Sequence, residues 1–207
     1  MLIKIALLLI IFFSLSYSVE LRVQAFGGVV YNLPTPLLIK QAGYEEIDLT
    51  ARYETRPFET SPAPYYVVRG GVWEGGKAWE IELIHSKLYL KNKPAEVQEF
   101  QITYGYNYLL LNRAWETGSF IWRVGGGVVI THPSSVVRGK ENEYVRYDIS
   151  GVGIQVGVER VLLRGRNFIV SVEAKLSSAY AEVPIAAGYA VVPNLAVHGI
   201  LGIGFGF

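Results

Sequence analysis

The chain has 207 residues, 51% of them hydrophobic and 18% charged, with a formal net charge of +1 at pH 7. That near-neutral balance excludes the basic excess of a nucleic-acid-binding protein. The absence of Cys excludes both a disulfide framework and a Cys-ligated metal site.

The first eighteen residues read as a secretory signal peptide. Lys4 supplies the positive start, and residues 5–13 are an apolar run. That run is too short for a spanning helix, which needs about 20 residues. Ser16 and Ser18 are the small residues that cleavage after Ser18 requires. Losing Lys4 with the leader leaves 18 basic residues against 18 acidic ones, in a single domain over residues 19–207. No long apolar run follows, so spanning by helices is excluded. Alternation reconciles a hydrophobic composition with that absence, because a membrane strand needs only every second residue apolar.

Period-two segments follow in order. They cover residues 21–31, 36–41, 47–54, 65–73, 78–90, 98–111, 119–131, 145–162, 168–180 and 195–207. The expected fold is all-β, with ten antiparallel strands if residues 36–41 cross the membrane and eight if the N-terminal pair does not. Connections alternate between short ones, at 74–77, 112–118 and 164–167, and longer ones, of which 132–144 and 182–194 are the longest.

The last segment, residues 195–207, puts Leu195, Val197, Leu201, Ile203, Phe205 and Phe207 on one face. Ala196, His198, Ile200, Gly202, Gly204 and Gly206 fall on the other. This pattern resembles the closing strand of bacterial outer-membrane β-barrels, which end in Phe and carry an assembly signal there. The resemblance implies an antiparallel up-and-down transmembrane β-barrel, integral to the outer membrane. It also implies the assembly machinery as a partner, engaged through the C-terminal strand. Short turns would then lie at the periplasm and long loops outside. In that orientation Trp73, Trp79, Trp115 and Trp122 join Phe207 in a periplasmic aromatic girdle, and Tyr66, Tyr89, Phe100 and Tyr147 form an outer one.

The pleat sets which side faces in. Phe100, Ile102, Tyr104, Tyr106 and Tyr108 are assigned to lipid, and Glu99, Gln101, Thr103, Gly105 and Asn107 to the interior. The same rule sends Asp48, Arg52, Glu54, Arg69, Glu80, Glu82 and Arg123 inward, with Arg146, Asp148, Glu173, Lys175 and His198. A barrel of about eight strands is just filled by its side chains. Charges of both signs there are expected to pair into a network that blocks the lumen. Glycines at 125–127, 151, 153 and 157 make room for it.

The expected role is non-enzymatic: structural, or binding at the cell surface, with outer-membrane lipids and lipopolysaccharide as partners and no cofactor or metal. Lys87, Lys91, Lys93, Arg138 and Lys140 gather near the outer end and suit lipopolysaccharide phosphates. The alternatives are a lipid A acyl hydrolase or acyltransferase, and a narrow pore for small solutes. A serine nucleophile needs a base within hydrogen-bond reach. His85 and Ser86 are strand neighbours and point to opposite faces. The spacing of His132 and Ser134 is similar to the His-x-Ser of lipid A 3-O-deacylases, although Pro133 interrupts the strand; Ser86, Glu99 and His132 are a second grouping.

Overall fold

A computed structural model describes residues 19–142 and 146–207, and the expected leader lies outside the described residues. They hold fourteen strands and no helix: β1 (Glu20–Asn32), β2 (Thr35–Gln41), β3 (Ile47–Ala51), β4 (Tyr53–Glu54), β5 (Tyr66–Glu74), β6 (Lys77–Leu90), β7 (Val97–Thr117), β8 (Phe120–Thr131), β9 (Ser134–Val137), β10 (Lys140–Glu141), β11 (Asp148–Arg164), β12 (Phe168–Ile185), β13 (Gly188–Val191) and β14 (Asn194–Gly206). Val, Ile, Tyr and Phe alternate with polar or small residues through most of them, which suits a pleated sheet with two different environments.

Eight strands pair in one antiparallel circuit. β1 pairs with β5, β5 with β6, β6 with β7 and β7 with β8. From β8 the ladders continue to β11, β12 and β14, and β14 pairs again with β1. One end, here called basal, carries Glu20, Phe207 and the tight connections after β5, β7 and β11. The other, the loop end, carries the long connections.

The loop end is itself built of sheet. β12 runs on into β13, β13 pairs with β2, and β2 with β3. On the opposite side β4 pairs with β6, and β9 pairs with β7 and β10. Residues 36–41, one of the ten expected crossing strands, thus belong to β2 in this extension. At 7 residues β2 is shorter than the roughly 9–11 needed to cross a bilayer. Leu37 and Ile39 are buried between the two extensions. Parts of the long connections expected over 132–144 and 182–194 form β9, β10 and β13. Gln41 donates to the Val137 carbonyl (3.4 Å) and Asn142 to that of Pro184 (3.1 Å), joining the two extensions.

Two interiors therefore stack inside one molecule. The loop half is apolar: Leu37, Ile39, Ile84, Leu88, Phe100, Ile102, Tyr106 and Val183 belong to one buried cluster. This corrects the face assigned on β7. Phe100, Ile102, Tyr106 and Tyr108 point inward, and only Tyr104 of that set is exposed. The rule that apolar residues face lipid fails where the interior is apolar too. The tyrosine hydroxyls end on polar partners, Tyr106 donating to the Val192 carbonyl (2.9 Å) and Tyr108 to Asn194 (3.0 Å). Phe100 consequently leaves the outer girdle.

The outer wall of the circuit is apolar at mid-height. Val124, Val152, Ile154, Val156, Leu201 and Ile203 are all exposed. Basally Trp79, Trp115, Trp122, Phe120, Phe168 and Phe205 are exposed as well. Trp73 departs from the expected girdle. It is buried with Ala78, Ala114 and Ile121, and the Arg22 guanidinium sits 4.1 Å from its ring centre.

Candidate functional site

In the basal half of the interior the alternating strands deliver charge. β5 contributes Arg69, β6 Glu80 and Glu82, β8 Arg123, β11 Glu159, and β12 Glu173 and Lys175, all buried. Arg69 is the hub. Its Nε donates to Glu82 (2.6 Å), Nη1 to Glu159 (3.1 Å) and Nη2 to Glu173 (2.6 Å). Arg123 donates to Glu80 through Nε (2.5 Å), and its Nη2 reaches Glu80 (3.2 Å) and Glu159 (3.1 Å). The Arg123 Nη1 lies 3.3 Å from Glu173. Lys175 pairs with Glu82 and lies 3.3 Å from Glu173.

Neutral amides complete the lattice. Gln24 donates to Glu159 (2.8 Å), Asn112 to Glu82 (3.1 Å) and Gln155 to Asn112 (2.8 Å). Buried ion pairs hold only when most of their donors and acceptors are met, and these largely are. Small residues provide the room. A Cβ on Gly125 would lie 1.7 Å from the Asn112 side-chain oxygen, and one on Gly157 would lie 2.8 Å from Glu173. A second layer lies at the basal end. There Arg22 donates to Glu20 (2.7 Å) and Glu116 (3.3 Å).

Of the residues expected in this lattice, Arg69, Glu80, Glu82, Arg123, Glu173 and Lys175 come together. His198 sits just above, with Tyr65 Oη 2.8 Å from Nδ1 and Ser177 Oγ 2.8 Å from Nε2. Asp48, Arg52 and Arg146 are exposed, and Glu54 and Asp148 are half-exposed. Asp48, Arg52 and Glu54 belong to the loop-end extension, whose interior is apolar, so their pleat points them to solvent. Arg146 precedes β11, and Asp148 begins it at its loop end. Gln24, Asn112, Gln155 and Glu159 were missed. Glu159 shares its phase with Gln155 and Gly157 against outward Val156 and Val158, which was a readable signal.

The outer-end cations do not form one patch. Lys87 is buried and donates to the carbonyls of Glu59 (3.0 Å) and Ser61 (2.9 Å). It therefore fastens residues 57–63 over the outer wall of β6. Tyr89 donates to the Glu59 carboxylate (2.6 Å). That hydrogen bond, with Lys87 nearby, holds the Glu59 carboxyl below its ordinary range. Lys93 donates to the Gln98 carbonyl (2.7 Å), and Lys91 is exposed beside it. Arg138 and Lys140 sit over the Tyr44 ring, and Arg138 donates to the Glu45 carbonyl (2.8 Å).

The serine and histidine candidates are engaged with other partners. Ser134 donates to Glu99 (2.9 Å), which in turn accepts from Gln101 (2.8 Å). His132 packs between the rings of Tyr104 (4.8 Å) and Tyr147 (5.1 Å). Ser86 is buried in phase with Ile84 and Leu88, opposite Tyr106, on the inner side. His85 is buried on the outer side, its Nδ1 2.8 Å from the Asn107 side-chain oxygen. Among the described residues no cluster of His, Asp and Glu is arranged to hold a metal ion.

No family model matches the chain, and no curated protein matches it. Solved structures to which the chain is similar at low identity include the following three. Neisserial surface protein A is 9% identical, with 90% of this chain and 96% of that one covered and a TM-score of 0.41. Ail, the attachment invasion locus protein of Yersinia pestis, is 10% identical, with 91% and 97% covered and a TM-score of 0.42. The outer membrane protein AlkL, solved by solid-state NMR in lipid bilayers, is 11% identical, with 91% and 90% covered and a TM-score of 0.48.

Proposed function

We propose that this chain is a small integral outer-membrane β-barrel, closed by eight strands, with a filled interior and a structural or surface-binding role outside. The observation that carries this reading is the inverted distribution of polarity. Arg69, Arg123, Glu82 and Glu173 are sealed inside while Val124, Ile154, Val156 and Leu201 are exposed. A soluble monomer rarely exposes apolar patches beyond a few hundred Å². A lipid-facing wall explains such a band without a partner protein. The 12-residue β8 is just long enough to exceed the roughly 9–11 residues that a tilted membrane strand needs. The longer β7 and β12, of 21 and 18 residues, then project beyond the membrane to carry the loop-end extensions.

In this reading residues 1–18 direct export, and the β14 strand engages the assembly machinery. Lys91, Lys93, Arg138 and Lys140 are left to meet lipopolysaccharide phosphates, while Lys87 is committed to its strap. The ionic lattice argues against a pore. Ser134 donates to Glu99 rather than to His132, which argues against acyl transfer by the expected pair.

The test is refolding of the full-length mature chain into detergent micelles, then reconstitution in planar bilayers. The expected result is a band whose gel migration changes on boiling, with no channel events. Folding without detergent would contradict the membrane reading, and reproducible single-channel steps would contradict the filled interior. Mass spectrometry of lipid A from cells overproducing the protein is expected to find its acylation unchanged.

A further inference from the structure

On the outer wall at the loop end, Tyr66, His85, Asn107 and Ile130 stand in one cross-strand row over β5, β6, β7 and β8. The neighbouring row toward the basal end is Val68, Leu83, Leu109 and Val128, entirely apolar. The first row therefore marks the border where the apolar band stops. Above it Tyr104 and Tyr147 stand on one side, with Tyr147 donating to the Tyr104 carbonyl (3.1 Å). Pro62 and Ala63, from the segment strapped down by Lys87, stand on the other. Together these line an open cavity of about 340 Å³ against His85. That volume is within the range of ligand sites, about 300–1,000 Å³.

The His85 ring, part of the cavity's wall, carries an unmet polar atom. His85 is 5% exposed, and its Nε2 is buried without a hydrogen-bond partner. The ring is fixed on both sides. It stacks on Tyr66 at 5.0 Å and 13°, and its Nδ1 meets the Asn107 oxygen at 2.8 Å. With that oxygen accepting, Nδ1 carries the proton and Nε2 presents a lone pair. A buried acceptor left unmet is costly, so an occupant bearing a donor gains by entering. Gly105 holds the arrangement open. Its φ is 132°, and a Cβ there would lie 2.1 Å from the Asn107 amide.

We propose that this cavity binds a single outer-leaflet amphiphile that carries a hydroxyl or amide N–H at the head of an acyl chain. The donor bonds to His85 Nε2, and the chain runs down over Leu83 and Leu109. The proposal rests on the membrane reading above, which fixes the apolar band as the lipid side. It adds a specific lipid site that bulk lipid contact would not require.

The full mature chain, ¹⁵N-labelled at His, is refolded in dodecylphosphocholine, whose head lacks a hydrogen-bond donor. Dodecyl maltoside is then titrated in as the probe, with soluble maltose as the parallel arm. The expected result is a saturable shift of the His85 Nε2 resonance with dodecyl maltoside and none with maltose. Contacts from the dodecyl chain to the Tyr66 ring are expected as well. His85→Leu, on the outer wall, is expected to refold and to bind the probe about tenfold more weakly, as loss of one buried hydrogen bond implies. No saturable shift would overturn the proposal. So would an equal shift with maltose, which would make the occupant a free sugar, or undiminished binding by His85→Leu. Boil-sensitive migration in the same samples reports the barrel separately, so a failed site is distinguishable from a failed membrane reading.

Discussion

The two halves of the interior solve one packing problem in opposite ways. The basal half is filled by long charged side chains held by partners from facing strands, with Arg69 touching carboxylates from β6, β11 and β12. The loop half is filled by Leu37, Ile39, Phe100 and Ile102, packed between two sheet extensions with few polar atoms. The difference follows from what lies outside each half. At mid-height the outer wall is apolar, so the alternate residues are free to be polar and point inward. At the loop end the wall carries Glu99, Gln101, Lys87 and Tyr89 outward, so the apolar residues turn in. The polar half depends on pairs and the apolar half on volume, and the two should fail differently.

The largest effect is expected from breaking the ionic hub. Arg69→Met leaves Glu82, Glu159 and Glu173 short of positive charge and should cost about 3–5 kcal/mol, read from urea unfolding in micelles. Within the same half, Arg123→Met alone should be worse than Arg123→Met combined with Glu80→Met, because the double variant leaves fewer unpaired charges. Equal losses in single and double variants would show that the pairing is incidental. Next comes Gly125→Ala, which drives a methyl into the Asn112 oxygen and should cost about 1–3 kcal/mol by overpacking. In the apolar half Ile102→Val should cost only about 0.5–1.5 kcal/mol, with no dependence on a partner.

The smallest effect concerns the strap over His85. Glu59 lies in the loop-end segment before β5, with its carboxyl held below the ordinary range by the Tyr89 hydrogen bond and by Lys87. A depressed carboxyl contributes stability above its unfolded pKa and loses it as pH falls through the folded one. Acidification below the ordinary carboxylate range should therefore loosen residues 57–63 alone, seen as faster amide exchange there with β5 and β6 unchanged. Glu59→Gln should give the same exchange already at pH 7.

Much of the basal half was legible because its strands carry one clean alternation. Arg69 on β5, Glu80 and Glu82 on β6, Arg123 on β8 and Glu173 with Lys175 on β12 all follow the phase opposite to exposed Val, Ile and Leu. Gln24 and Glu159 obey the same rule on strands rich in glycine and valine, where the polar side of the alternation is sparse. β7 departs from the expected facing for a physical reason. Residues 100–108 alternate aromatic with polar, and that pattern is identical whether the aromatics face lipid or a second apolar core. The bulge at Thr103–Gly105, where Ser86 and Leu88 pair with Tyr106 and Ile102, also shifts Tyr104 outward and breaks the phase. The fate of Lys87 depends on a strap 28 residues earlier in the chain, which no local pattern encodes.

The central claim is that the wall is apolar outside and closed inside, and the lack of native Cys allows it to be tested by single introduced thiols. Val156→Cys and Ile154→Cys, spin-labelled in lipid vesicles, report the outer wall, and Ser171→Cys reports the inner one. The account predicts labels at 154 and 156 that are relaxed by oxygen and shielded from a water-soluble nickel complex. It predicts a thiol at 171 that ignores a water-soluble maleimide until the protein is unfolded. Nickel access at 154 and 156 would contradict the lipid-facing wall, and rapid labelling at 171 in the folded protein would contradict the filled interior.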